Sequence, residues 1–182
     1  HLSDGRLDFG IGRAAFPRIY QGYGFNYAES RDRFDECLEI ILKAWTTERF
    51  SFSGKFYEYD DLCVVPKPLQ KPHPPIFVGG ELEAAARRIA NYGDGWLPRA
   101  RNTSEFEDPD KLSAARKHIE ELMTARGRDA SKLNITMWDA PHDRDMNHRF
   151  FDAGADRVVH MLNTTDQKSA QEDLERVAEA VL

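Results

Sequence analysis

With 182 residues, 41% of them hydrophobic and 31% charged, the chain can bury one good core and reads as one domain, two at most, of a soluble globular protein. A net charge of −6 argues against the basic stripe that a nucleic-acid surface needs. No apolar run approaches the roughly 20 residues of a membrane span, so neither nucleic acid nor membrane is an expected partner.

The opening residues His1 to Arg6 are a polar turn rather than a signal peptide. Leu2-Ser3-Asp4-Gly5-Arg6 reads as a helix-to-strand connection whose preceding helix is absent. Arg6 to Arg13 alternates apolar with small or polar residues and predicts a strand over 7–12. From Ala14 to Tyr27 the pattern dissolves into Phe16, Pro17, Tyr20, Tyr23, Gly24 and Phe25. Such a loop is too long and too aromatic to be idle. It either folds over a ligand or anchors itself on the core.

Ser30 is the expected N-cap of a helix whose stripe is Phe34, Leu38, Ile41, Leu42 and Trp45. Cys37 lies beside that stripe and reads as a small packing residue. With Cys63 it is too little for a disulfide framework or a zinc site, which fits a reducing cytoplasm. Phe50 to Tyr59 predicts a β-hairpin with glycine in its turn, and Leu62 to Val65 a third short strand. The prolines from Pro66 to Pro75 predict a stiff, extended connector.

Pro75-Ile76-Phe77-Val78-Gly79-Gly80 then reads as a buried parallel strand stopping at a glycine pair, with a helix starting at Glu81 and ending at a C′ Gly93. Such a junction is either an ordinary turn or an anion site, because glycine admits close approach and helix N–H groups point outward. Further strands are expected near 94–97, 134–138 and 156–162. Helices are expected from 110 to 127, from 145 to 151 and from 169 to 182. His142 and His148 beside Asp143 and Asp145 read as a metal site or, more simply, as polar surface; no metal is expected. On pattern alone the alternation predicts a parallel α/β sheet, open and doubly wound by default.

Several of these stretches resemble one family. Leu2 to Arg13, Arg33-Phe34-Asp35-Glu36, Pro74 to Gly80 and Gly93-Asp94-Gly95-Trp96-Leu97-Pro98 are similar to motifs of the bacterial luciferase-like flavin-dependent monooxygenases. Gly127-Arg128-Asp129 and Ala153 to Val159 extend the likeness, which spans 1–182 in the family's order. The resemblance implies a TIM (β/α)8 barrel of luciferase-like type, incomplete, with strands four to eight only. The first three βα units, about a hundred residues, have no counterpart.

The resemblance implies an oxidoreductase, a monooxygenase that uses reduced FMN and oxygen on a small organic substrate. The alternatives are a deazaflavin coenzyme, or a truncated, non-catalytic member acting through protein association. It places the flavin phosphate on Gly12, Arg13, Gly79, Gly80 and Glu81, with Arg13 forked onto phosphate oxygens. Gly12-Arg13 looks more like the flavin branches. Where members usually carry Ser, Thr or Asn after the glycine pair, this chain has Glu81-Leu82-Glu83. Two carboxylates there favour the helix dipole by about 0.3–1 kcal/mol each and repel a phosphate. The histidine many members use for catalysis lies in the region without a counterpart. None of His73, His118, His142, His148 or His160 takes its place, so no catalytic residue is named. Expected partners are a small-molecule substrate, a flavin reductase and a second copy of the chain, because an incomplete barrel exposes strand edges.

Overall fold

The computed structural model describes all residues except 15, 101–105, 107, 163, 165 and 182. They divide into two units, His1–Pro75 and Ile76–Leu182.

The first unit begins with β1 (Phe9–Ile11), anchored where the Phe9 N–H donates to the Pro75 carbonyl at 2.8 Å. The aromatic stretch expected to be all loop contains a short helix, α1 (Pro17–Gly22), which buries none of its residues. Pro17 starts it at no cost, since the first N–H groups of a helix have no partner within it. A 3₁₀ turn at Tyr27–Glu29 leads into α2 (Ser30–Thr46). Here the capping expectation is corrected. Glu29 takes the N-cap position without a side-chain bond, and the buried Ser30 turns its hydroxyl to Arg13.

β2 (Phe50–Ser53) and β3 (Glu58–Leu62) pair antiparallel, Phe52 opposite Tyr59 and Ser53 opposite Glu58. Phe50 and Phe52 alternate inward to pack with Ala44, while Ser51 and Ser53 face out. Glu36 of α2 holds the turn by accepting from the N–H groups of Lys55 and Phe56 at 2.8 and 3.1 Å. The third strand does not form: Val64 and Val65 follow β3 as exposed, unpaired chain. The proline segment is not a straight connector either, but a series of bends. Lys67 pins it to the Ala44 carbonyl and Gln70 to the Leu7 carbonyl, each at 2.8 Å.

The second unit alternates β4 (Ile76–Gly79), α3 (Leu82–Asn91), β5 (Gly95–Leu97), α4 (Pro109–Ala125), β6 (Asn134–Trp138), α5 (Arg144–Asp152), β7 (Arg157–Val159) and α6 (Gln167–Val181). Its strands lie in the order β4-β5-β6-β7, all parallel, so the chain has the expected α/β architecture. Part of the polar loop before α4 and the end of the closing helix, Leu182, lie outside the described residues. Ile76, Val78, Ile135 and Met137 alternate onto one face and are fully buried. Phe77 lies opposite Gly95, and Thr136 opposite Arg157, on the other face.

Two aspartates lock the beginnings of these strands. Asp94 accepts from the Ile76 N–H at 2.9 Å and pairs with Arg128 at 3.2 Å, while Arg128 also donates to the Gly93 carbonyl at 2.6 Å. Asp156 repeats the device, accepting from the Ile135 N–H at 2.7 Å and from Arg116 at 2.9 Å. Gly93 follows the Tyr92 C-cap but has no positive φ. Close packing is the reason for glycine there: a Cβ would lie 2.9 Å from the Ile89 Cα and 3.0 Å from the Val78 Cγ2.

Candidate functional site: an aromatic cavity beside Arg13

β1 runs out at Ile11, and the next two residues, Gly12 and Arg13, enter the wall of a cavity of about 330 Å³ within the first unit. One Arg13 nitrogen donates to the Ser30 hydroxyl at 2.9 Å, and the guanidinium carbon lies 5.3 Å from the centre of the Tyr27 ring. No carboxylate among the described residues pairs with Arg13. A cation at a cavity wall whose only hydrogen-bond partner is neutral is a ready site for an anion.

Five rings line the open cavity: Tyr20 of α1, Tyr23 and Phe25 after it, Phe34 of α2, and Tyr57 before β3. Arg33 also lines it, but in a different electrostatic state. Its Nε and a terminal nitrogen both donate to Glu29 Oε2, at 3.0 and 2.9 Å. Its guanidinium lies 4.1 Å from the Phe56 ring centre, 5.3 Å from Phe25 and 6.0 Å from Tyr57. Desolvation works against its charge, yet bonding to Glu29 and Tyr57 outweighs this and holds its pKa above the ordinary value. The Tyr57 phenol is raised as well, first by its hydrogen bond with Cys37, then by burial, with Arg33 opposing. Cys37 is a half-buried thiol in the same wall, outside any disulfide.

A second cavity of about 450 Å³ in this unit, beside Trp45, Leu69 and Pro74, is larger. Its lysine, Lys67, is spent on the Ala44 and Glu48 carbonyls.

In the second unit the glycine pair has the conformation an open turn requires. Gly80 has φ +114°, and a Cβ there would meet nothing within 4 Å. Its carbonyl accepts from the Trp96 indole at 3.3 Å, which fixes the peptide. Glu81 takes the N-cap position of α3 without a side-chain bond, so its exposed carboxylate leaves the first helical N–H groups free. The Glu83 carboxylate stands 3.6 Å from the His118 Nε2 of α4. His118 is therefore not simply solvated, as its place on a helix suggests. Its partner is one of the two carboxylates that count against a phosphate at this turn.

Of the five residues expected to meet a phosphate, Gly12 and Arg13 thus adjoin in the first unit, and Gly79, Gly80 and Glu81 in the second. Sequence reasoning missed Ser30, Arg33 and Tyr57 as cavity groups. The available signal was the density of rings between Phe16 and Tyr57 around two arginines. Asp143 caps α5 by accepting from the Met146 N–H at 2.8 Å, and His142 bonds the Met161 carbonyl at 3.1 Å. Among the described residues no group of three or more His, Cys, Asp or Glu is arranged to hold a metal.

Residues 1–140 match the family model described as luciferase-like monooxygenase. The chain belongs to that family. An F420-dependent hydroxymycolic acid dehydrogenase of Mycobacterium tuberculosis is 33% identical over 135 residues, 72% of this chain and 35% of the relative. An FMNH(2)-dependent dimethylsulfone monooxygenase of Pseudomonas putida is 35% identical over 98 residues, 52% of this chain and 27% of the relative. Among solved structures, the monooxygenase RslO1 from Streptomyces bottropensis superposes with a TM-score of 0.65 at 23% identity, covering 98% of this chain and 53% of that one. That likeness shows the luciferase-like fold. This chain spans about a third of the dehydrogenase and about a quarter of the sulfone monooxygenase. The family holds both flavin-dependent and F420-dependent oxidoreductases, and no described helix is long and apolar enough to cross a membrane.

Proposed function

We propose that the chain serves a flavin-dependent monooxygenase acting on a small organic substrate, with reduced FMN as cofactor and oxygen as co-substrate. The observation that carries this is Arg13, a cation without a carboxylate partner among the described residues, in the wall of a ring-lined cavity. In this reading Arg13 holds the cofactor phosphate by charge-assisted hydrogen bonds, with Gly12 leaving its approach clear. Separately, in the second unit, Gly79, Gly80 and Glu81 offer backbone to an anion, Gly80 through its open side and the α3 N-terminus through its free N–H groups. When bound, reduced FMN supplies two electrons to oxygen; a deazaflavin coenzyme instead exchanges hydride with the substrate. A separate flavin reductase is the source of reduced FMN. The F420-dependent relative keeps the deazaflavin as the alternative.

Titration of the purified chain with FMN, and separately with F420, followed by fluorescence, tests this. FMN is expected to bind more tightly than F420, and Arg13→Ala to weaken it about ten- to a hundredfold, the loss of a charged hydrogen bond. Unchanged affinity in Arg13→Ala, or no binding of either at about 100 μM, overturns the reading.

A further inference from the structure

We propose that the first-unit cavity selects substrates by a planar aromatic ring, and that Arg33 is the positioning residue that sets this selectivity. The proposal deepens the oxidoreductase reading by naming a substrate class, and rests on it.

The lining carries the inference. Five aromatic side chains face a volume of about 330 Å³, with Ala14 and Ile19 as aliphatic members of the wall. That volume lies at the small end of the roughly 300–1,000 Å³ typical of ligand pockets, enough for a one- or two-ring body. Rings meeting rings edge-on or offset gain about 0.5–1.5 kcal/mol beyond the area they bury, a gain that a saturated body of the same outline does not share.

Charge does not explain the lining equally well at this end. The Arg33 guanidinium is already neutralised by two hydrogen bonds to Glu29. Its carbon instead lies 4.1–6.0 Å from the ring centres of Phe56, Phe25 and Tyr57. Phe25 arrives on the segment after α1 and Tyr57 on the approach to β3, so two separately built walls share one planar cation between them. Lysine reproduces the charge and the pair with Glu29 but not the planar stack. Arg33 lines the cavity beside these rings, and it acts on the ligand chiefly through the rings it orients.

Calorimetric titration of the purified chain with 2-naphthol and with its saturated analogue decahydro-2-naphthol reads the selectivity as a ratio of affinities. The expected ratio is about three- to tenfold in favour of naphthol. Arg33→Met and Phe25→Leu are expected to bring it to within about twofold, and Arg33→Lys to lower it while circular dichroism stays unchanged. Arg49→Met, which breaks a surface pair with Asp61, should leave the ratio intact. Equal affinities in the unaltered chain, no naphthol binding at about 1 mM, or an unchanged ratio in Arg33→Lys and Phe25→Leu overturns the proposal. If Arg33→Met fails to fold, those two variants decide. FMN binding is read separately: its loss with the naphthol preference retained sinks only the cofactor reading. FMN binding with equal naphthol and decahydronaphthol affinities sinks only this one.

Discussion

Gly80 and Gly95 are both glycine, for unrelated reasons. At Gly80 the backbone sits at φ +114° with open space around it, so a side chain is penalised by conformation alone. At Gly95 a Cβ would lie 2.5 Å from the Phe77 ring and 2.7 Å from the Asn134 carbonyl, so the penalty is overlap. Each alanine substitution is expected to cost about 1–3 kcal/mol in urea denaturation. Adding Phe77→Leu separates them, recovering part of the loss in Gly95→Ala and none of it in Gly80→Ala. Arg13 was legible at this scale only because Leu2 to Arg13 resembles a family motif that ends in an arginine. The hydroxyl that holds it was not, since Ser30 reads by itself as a cap, and only the fold brings a residue seventeen positions on to within 2.9 Å.

Among the elements, α2, α3 and α4 and the strands β4 and β6 stood out from apolar spacing, because each buries several of its apolar residues. α1 did not, because it buries nothing and leaves no stripe to find. The expected strand at Leu62 failed for the opposite reason: Val64 and Val65 are good strand formers with no neighbour to pair with. How Asp94 and Asp156 are used was also hidden, since each acts on the strand before it in sequence. Asp94→Ala strips the fully buried Ile76 N–H of its acceptor and is expected to cost about 1–3 kcal/mol in urea denaturation. A double-mutant cycle with Arg128→Met should show positive coupling, because both hold the same turn. Simple additivity in that cycle would separate the two residues.

Over the whole molecule, acid sensitivity sums several depressed carboxyls. Asp129 and Asp166 are lowered by hydrogen bonds from Ser131 and Ser169, first from the hydroxyls and then from the backbone, and Asp61 is lowered by Arg49. A carboxyl depressed in the folded state gives its full stabilisation above the unfolded value, about 4, and loses it as pH falls through the folded one. Urea midpoints should therefore be flat above about pH 5 and fall below about pH 4. The triple Asn variant at 61, 129 and 166 should start lower at neutral pH and decline less steeply; an equally steep acid limb would place the sensitivity elsewhere. At this scale the family was readable because its motifs recur in order along the chain, although no single one suffices.

Gly93-Asp94-Gly95 and Gly154-Ala155-Asp156, which helped to make that likeness visible, are the anchors that fasten strand beginnings to Arg128, just beyond α4, and to Arg116 of α4. Such anchors do the same job whatever coenzyme the opposite ends of the strands receive. They classify by architecture and are blind to chemistry, which agrees with one F420-dependent and one FMNH(2)-dependent relative matching the same chain at nearly equal identity. Sorting relatives by reaction therefore calls for a different set of positions, those equivalent to Arg13, Phe25, Arg33 and Tyr57.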